Sequence, residues 1–173
     1  DSAKAAKFFA EAQQATASLK PSVTTIPARL LRQYHEAQNR GDFAAVLSLF
    51  ADDVIFVAAP VCLLSCSGKA QIQKAIAQRI LDYNQQHLIE VQTDGNVATS
   101  RTDWRSDPTR SAGVERRINI ETVEERDGKI VRYTTRGDLS DPQTAKFQAF
   151  ADAAAAARAK AAAAAKAGAT QSQ

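Results

Sequence analysis

Two Asp-Gly pairs, at residues 94–95 and 127–128, constrain the fold more than any other feature of this sequence. Asp-Gly favours the two-residue turn of a β-hairpin, because both positions tolerate a positive φ. The residues on either side of each pair alternate in the manner of strands. The region 87–137 is therefore expected to form successive, mainly antiparallel strands of one curved sheet. These strands are predicted at 87–93, 97–105, 114–126 and 129–137.

The residues before this region carry a helical pattern instead. Apolar side chains recur at helical spacing over 27–41, 42–50 and 72–83, which predicts three amphipathic helices. A short apolar, β-branched run at 54–57 predicts one early strand. Helices followed by strands indicate the α+β class, with a curved, mostly antiparallel sheet packed on three helices.

Both ends of the chain extend beyond this unit. Residues 1–26 predict a helical extension that Pro21 ends, followed by a linker. The last helix is expected to begin near Pro142, and residues 146–173 are rich in alanine. Alanine favours a helix but buries little area, so a partner-facing helix and a frayed tail both fit this segment. The central domain is then assigned to residues 27–145.

The composition excludes several classes of protein. A chain of 173 residues, 45% hydrophobic and 24% charged, fits one globular domain. It contains no apolar stretch long enough for a transmembrane helix. The net charge of +3 comes without a basic stripe, so no nucleic acid is expected. No phosphate loop, nucleophile elbow or nucleotide fingerprint occurs, and we expect no cofactor.

The cysteines and the start of the chain carry weaker signals. Zinc would need Cys62 and Cys66 together with two remote histidines, so no metal is expected. We expect the cysteines to be two small buried thiols rather than a local bridge. The chain begins at Asp1 and contains no methionine, which is expected either after trimming or after removal of a targeting segment. The compartment stays open; a removed targeting segment favours an exported (periplasmic or secreted) or organellar protein.

Four short stretches, in this order of elements, resemble the nuclear transport factor 2-like superfamily, which includes SnoaL-like polyketide cyclases, ketosteroid isomerases and limonene-epoxide hydrolases. They are YHEAQNRGDF at 34–43, LFADDV at 49–54, GKAQI at 68–72 and DGKIV at 127–131. The resemblance covers about residues 28–145. It implies a cone-shaped sheet whose interior holds a small apolar ligand, in a superfamily of both enzymes and non-catalytic binding or assembly modules.

The sharpest catalytic candidate is the pair Arg101 and Asp103, which strand alternation places on one face. The pair resembles the Arg-x-Asp element of limonene-epoxide hydrolases, which implies Asp103 as general base and Arg101 as its partner. The second acid of that family falls at Thr135 in this sequence. We therefore prefer a structural ion pair on a half-exposed face.

A second candidate rests on the ketosteroid isomerases. Tyr34 matches the tyrosine that donates to the oxyanion in that family, and Glu121 falls near its protonated acid. The base of that family would lie at Ala58 or Ala59, so ketosteroid isomerisation is not expected. The ligand pocket is expected to include residues from the strands: Phe50, Phe56, Glu121 and Tyr133.

The alternation pattern also assigns faces. Ile118 and Ile120 have the opposite parity to Glu121 and look more like the buried side. Trp104 points away from the face of Asp103, where a dimer contact or the terminal helices would cover it. Arginines recur among glutamates on the late strands, which indicates a solvated face with cross-strand salt bridges.

The sequence thus predicts a non-catalytic module that binds a small apolar molecule or assembles with another protein. The partner, or a second copy in a homodimer, would contact the sheet face or the terminal helices. The alternative is a SnoaL-like enzyme, namely a cofactor-independent hydrolase, cyclase or isomerase. Its catalytic residues would be Asp103, Arg101 and Tyr34.

Overall fold

A computed structural model describes residues 25–58 and 62–170, with side chains described except at 62–65 and 165–170. The predicted N-terminal helix and Ala59 lie outside these residues. The helices are α1 (Ile26–Asn39), α2 (Phe43–Ser48), α3 (Lys69–Leu81), α4 (Asp107–Ser111) and α5 (Pro142–Thr170). The strands are β1 (Phe50–Ala58), β2 (Cys62–Ser67), β3 (Gln85–Asp94), β4 (Val97–Arg105), β5 (Arg117–Arg126) and β6 (Lys129–Gly137).

The six strands form one sheet in the order β2-β1-β6-β5-β4-β3. Every neighbouring pair is antiparallel except β1 and β6, which run parallel. The two Asp-Gly pairs form the predicted hairpins, and Asp127 and Gly128 both have positive φ, 53° and 73°. The α+β class with a mostly antiparallel sheet is confirmed.

The three amphipathic helices form where the pattern predicted them. Gly41 adopts a φ of +69° just after α1. The Asp42 side chain accepts a hydrogen bond from the Ala45 backbone N–H and caps α2. α1 packs against β3, β4 and β5, and α3 packs against β1 and β2. The face of the sheet under these two helices is called the helix face below.

Some elements differ from the prediction. β1 is longer than the predicted strand at 54–57 and includes Asp52 and Asp53. β2, which pairs with β1, was not predicted. The short helix α4 precedes β5 and delays its start, and Ser106 begins this helix with a capping box to Thr109. Cys66 is disulfide-bonded, so the expectation of two free thiols was wrong; the Cys62 side chain lies outside the described residues.

The core lies between the helix face and the helices. α1 contributes Leu31 and Tyr34, and α3 contributes Ile72 and Ile76, all with no exposed surface. The strands contribute the rest of this cluster, including Phe50, Phe56, Val123, Ile130 and Tyr133. The last helix, α5, contacts β5 and β6 instead. Since apolar packing surrounds the middle of the helix face, any polar group placed there is shielded from water.

Candidate functional site

Arg101 and Asp103 lie on the face of β4 opposite the helix face. Arg101 forms an ion pair with Asp138, with its Nη2 3.0 Å from Asp138 Oδ2. Asp103 instead accepts two hydrogen bonds of 3.1 Å from the guanidinium of Arg105. The structure therefore does not bring Arg101, Asp103 and Tyr34 together. Thr135, across from Glu121 in the sheet, lies on the helix face, so positions 103 and 135 cannot act on one ligand.

The helix face carries a buried carboxylate, Glu121, with three partners. His35 Nε2 lies 2.6 Å from Glu121 Oε2, and Thr102 Oγ1 donates to the same oxygen at 2.9 Å. The Tyr133 hydroxyl donates to Glu121 Oε1 at 2.5 Å. Glu121 has no exposed surface. Both carboxylate oxygens are thus already engaged.

These partners explain why Glu121 lies on the helix face. The prediction that the parity of Ile118 and Ile120 marks the buried side was wrong, because Glu121, not Ile120, is buried among the helices. A carboxylate tolerates burial when hydrogen bonds and a cationic partner compensate for the loss of water. Residue alternation alone does not reveal such partners.

The surroundings of Glu121 hold it ionised. Burial alone would raise its pKa, but the His35 imidazole and the hydrogen bonds from His35, Tyr133 and Thr102 outweigh this and lower the pKa to about 2. The ketosteroid isomerase resemblance implied a protonated acid near this position. Glu121 differs, because its environment stabilises the carboxylate.

Arg79, from α3, is the second charged residue of this face. Its Nη1 donates to the Tyr34 hydroxyl at 2.7 Å and to the Tyr133 hydroxyl at 3.3 Å. Its guanidinium lies over Phe56 and Trp104, 5.1 and 4.7 Å from the ring centroids. Burial by itself lowers the pKa of Arg79, but the Tyr34 and Tyr133 phenols and Glu121 raise it overall, so this residue stays charged.

The aromatic residues predicted for the pocket converge around Arg79. The rings of Phe56 and Tyr133 stack with centroids 4.8 Å apart, and Tyr34 lies 5.1 Å from Tyr133. Phe50 meets Tyr34 edge to face at 5.7 Å. Burial raises the pKa of Tyr34 above its usual value, so its hydroxyl stays protonated at neutral pH. That these residues line a ligand pocket stays a prediction.

Trp104 and Arg117 extend the cluster toward the end of the strands. They pair across β4 and β5, and the Arg117 guanidinium lies 4.4 Å from the Trp104 ring centroid and 4.8 Å from that of Phe147 in α5. Burial, with the nearby charge of Arg79, lowers the pKa of Arg117 to about 10. Trp104 is 1% exposed, so side chains of its own chain cover it. Arg117 was expected on a solvated face; it is half-buried, against the rings of Trp104 and Phe147.

Several buried nitrogen atoms here have no hydrogen-bond partner. The donors belong to one end of the helix face and to α1 and α3: Arg79 Nη2, Trp104 Nε1, Arg117 Nε, Asn119 Nδ2 and Gln38 Nε2. His35 Nδ1 also lacks a partner, and it is an acceptor when Nε2 carries the proton. Each buried donor left without an acceptor costs about 1–3 kcal/mol. Such a concentration calls for an explanation, because folded proteins leave few buried polar groups unpaired.

Sequence reasoning missed His35, Arg79, Arg117 and Asn119 as parts of this site. A signal existed for Arg79, which lies three residues after Ile76 and seven after Ile72 on the apolar stripe of α3. A charged residue on a buried stripe needs a polar partner elsewhere in the fold. Asn119 and Arg117 lie two and four residues before Glu121 on β5, so they share its face of the sheet. Once the face of Glu121 is known, theirs follows.

Other kinds of site find less support. Within residues 25–58 and 62–170, no group of three or more His, Cys, Asp or Glu side chains is placed to hold a metal ion. None of the helices described is both long and apolar enough to cross a bilayer.

Comparisons with known proteins agree with this architecture. Residues 31–133 match the SnoaL-like domain family, a range that contains His35, Arg79, Trp104, Arg117 and Glu121. No curated protein shows significant sequence similarity to the chain.

Solved structures share the fold at low sequence identity. The LEH-like epoxide hydrolase of M. tuberculosis is 16% identical with a TM-score of 0.55, over 68% of this chain and 86% of that one. The epoxide hydrolase/cyclase-like enzyme SalBIII, described in pyran ring formation in the polyether salinomycin, is 14% identical with a TM-score of 0.56, over 66% and 92%. A nuclear transport factor 2-like protein of unknown function from Cytophaga hutchinsonii is 12% identical with a TM-score of 0.54, over 70% and 96%.

These likenesses establish the fold, and the match over residues 31–133 establishes the family. The chain belongs to the SnoaL-like domain family.

Proposed function

We propose that this SnoaL-like domain binds a small molecule at the helix face and does not transform it. The observation that carries the proposal is the set of buried donors without acceptors beside a carboxylate whose oxygens are both engaged. A ligand that brings an acceptor compensates for the unpaired donors. The part-exposed ring of Phe147, beside Arg117, offers contact area for its apolar part.

The state of the carboxylates supports binding over catalysis. Glu121 is the one buried carboxylate in the described part of the chain. A carboxylate that accepts three hydrogen bonds and has a pKa of about 2 is a weak proton acceptor at neutral pH. Asp103 lies on the opposite face, bound to Arg105.

The position of Trp104 makes the proposal testable, because it is the only tryptophan of the chain. The neutral probe N-phenyl-1-naphthylamine absorbs where tryptophan emits. We expect it to quench Trp104 saturably, with sensitised emission from the bound probe. Native mass spectrometry of the purified chain should show a small bound mass that denaturation removes. Absence of both signals would overturn the binding function.

One observation favours the alternative, an enzyme. Glu121 orients the His35 imidazole through Nε2, and His35 Nδ1 is buried without a partner, an arrangement that can make a histidine a general base. The base would then be His35 rather than Asp103. Hydrolysis of styrene oxide that His35→Asn abolishes, with probe binding retained, would favour the enzyme. Our proposal expects no such hydrolysis.

An assembly role remains part of the proposal for the long helix α5. Leu139 and Phe150, near its start, are 60% and 45% exposed. Light scattering during gel filtration tests this role, because a second copy on this helix doubles the mass. A Phe150→Ser variant should then return to the monomer.

A further inference from the structure

Two sets of arginines in this domain differ in whether a carboxylate balances their charge. Six arginines at more accessible positions each form an ion pair with a carboxylate: Arg101, Arg105, Arg110, Arg116, Arg126 and Arg132. Among the described residues, Arg79 and Arg117 have no carboxylate within ion-pair distance, although Arg79 is buried and Arg117 is half-buried on the helix face. Water can compensate an exposed charge, but a buried charge needs a partner of opposite sign.

Glu121 does not supply that partner. Its oxygens are bonded by His35, Thr102 and Tyr133, and no nitrogen of Arg79 or Arg117 bonds to it. The Tyr133 hydroxyl links Arg79 to Glu121, because it accepts from the arginine and donates to the carboxylate. Arg117, which is half-buried, then has no carboxylate partner of its own on the helix face.

Unpaired donors lie around Trp104, and Gln86, its partner on β3, carries an unpaired acceptor, Oε1. The guanidinium carbons of Arg79 and Arg117 lie 4.7 and 4.4 Å from its ring centroid. Arg79 Nη2, Arg117 Nε and Trp104 Nε1 all lack partners. Each of these atoms can only donate. Asn119 lies two residues after Arg117, on the same face of β5, and its Nδ2 is a fourth unpaired donor.

We propose that Arg79, Trp104 and Arg117 bind the carboxylate of a small organic acid, whose apolar part lies toward the part-exposed ring of Phe147. This inference rests on the proposed binding function and names the chemical class of its ligand. Guanidinium groups match the planar, two-oxygen geometry of a carboxylate, and the indole N–H adds a directional donor. Water would satisfy the donors but would leave the charge unbalanced.

The electrostatics agree with this assignment. The pKa of Arg117 is lowered to about 10 by burial and by Arg79, so the empty cluster disfavours its own positive charge. A bound carboxylate reverses that effect. Since Arg117 and Phe147 are part-exposed whereas Arg79 and Trp104 are buried, the cluster also reaches toward the surface.

The test compares acids with neutral compounds of the same shape. Benzoate, 3-phenylpropionate and octanoate are titrated into the full chain by calorimetry at neutral pH, each beside its primary amide. We expect at least one acid to bind, with its amide at least tenfold weaker. A carboxylate alone carries the charge that the two arginines lack, so this preference separates charge recognition from simple apolar binding.

Single-residue variants test whether the preference for the acid over its amide depends on Arg117 and Trp104. Arg117→Met keeps an apolar side chain over Trp104 and should reduce the affinity for the acid at least tenfold while N-phenyl-1-naphthylamine still binds. Trp104→Phe keeps the ring but loses the N–H, with a smaller reduction. Arg132→Met removes an arginine that is half-exposed and paired with Glu124, and should leave binding unchanged. If Arg79→Met does not fold, Arg117→Met still decides the question.

The outcomes separate the two proposals. Equal binding of acid and amide, or full acid affinity in Arg117→Met, overturns the carboxylate assignment. So does failure of all three acids to bind. In each case the signal from N-phenyl-1-naphthylamine decides independently whether the binding function stands.

Discussion

His35 Nε2 lies 2.6 Å from Glu121 Oε2, and this contact joins α1 to β5 through the interior of the domain. Both residues are buried, at 4% and 0% exposure. The pair therefore links the helical layer to the sheet by a polar interaction where the surrounding contacts are apolar. In such a position the two residues depend on each other, because either one alone would be a buried group without its partner.

Removal of His35 should destabilise the domain strongly. His35→Leu leaves Glu121 with only two hydroxyl donors, and we expect the free energy of unfolding to fall by about 3–5 kcal/mol. The double variant His35→Leu/Glu121→Leu should lose less than the sum of the two single losses, because it leaves no unpaired charge. Urea unfolding of all four proteins measures this coupling. Additive losses would show that the contact contributes little.

Stability should decline at acid pH because of Glu121. Its pKa is about 2 in the folded chain against an ordinary value of 4.5, so it stabilises the fold fully above pH 4.5. As the pH falls from there toward 2, the unfolded chain takes up a proton that the folded chain does not, and about 3 kcal/mol is lost. Urea unfolding between pH 7 and pH 3 tests this.

Glu121→Gln provides the comparison for that titration. Asp53, Asp138 and Asp141 also have lowered pKa values, so both proteins should lose some stability in acid. The difference in unfolding free energy between the two proteins arises from Glu121, and it should shrink as the pH falls. A difference that stays constant from pH 7 to pH 3 would contradict the ionised state.

The fold follows from the sequence where each signal is local. The Asp-Gly pair at 127–128 specifies a turn by its own backbone preference, and Asp42 caps α2 through an atom three residues away. β2 was not predicted, because its six residues, which include two cysteines, lack a clear alternation of apolar and polar side chains. This strand forms by pairing with β1.

The candidate site follows from the sequence only in part, because its polar residues are stabilised by distant partners. Phe56 and Tyr133 are apolar or aromatic and could be assigned to the interior by pattern. Glu121 and Arg79 contradict the pattern, and their partners come from other elements, such as His35, 86 positions away from Glu121. The face of a charged strand residue is therefore set by contacts that no short window of sequence contains.

Loss of the Tyr34 hydroxyl should destabilise the domain, because Arg79 loses a hydrogen-bond acceptor. Tyr34→Phe removes the acceptor that lies 2.7 Å from Arg79 Nη1, which leaves the buried guanidinium with one weaker contact to Tyr133. We expect a loss of about 1–3 kcal/mol in thermal or urea unfolding. Tyr83→Phe, at a position 71% exposed, should change stability little. Equal effects would mean that the Arg79 contact is not formed in solution.

Gly68 should resist substitution more than Gly95. Both have positive φ, +79° and +56°, so alanine is strained at each by about 1 kcal/mol. A Cβ at Gly68 would also lie 3.2 Å from the backbone oxygen of Asp52, whereas one at Gly95 would meet nothing within 4 Å. Gly68→Ala should therefore lower the melting temperature more than Gly95→Ala. The reverse order would contradict the close approach of β1 to the start of α3.

Asp103→Asn separates the sequence-based catalytic hypothesis from the site on the helix face. Asp103 bonds to Arg105, which is 33% exposed, so the variant should lose less than about 1 kcal/mol of stability. Because the side chain lies on the opposite face of β4, quenching of Trp104 by N-phenyl-1-naphthylamine should be unchanged. A catalytic Asp103 would need to approach the ligand, and its replacement would then alter probe binding or abolish epoxide hydrolysis.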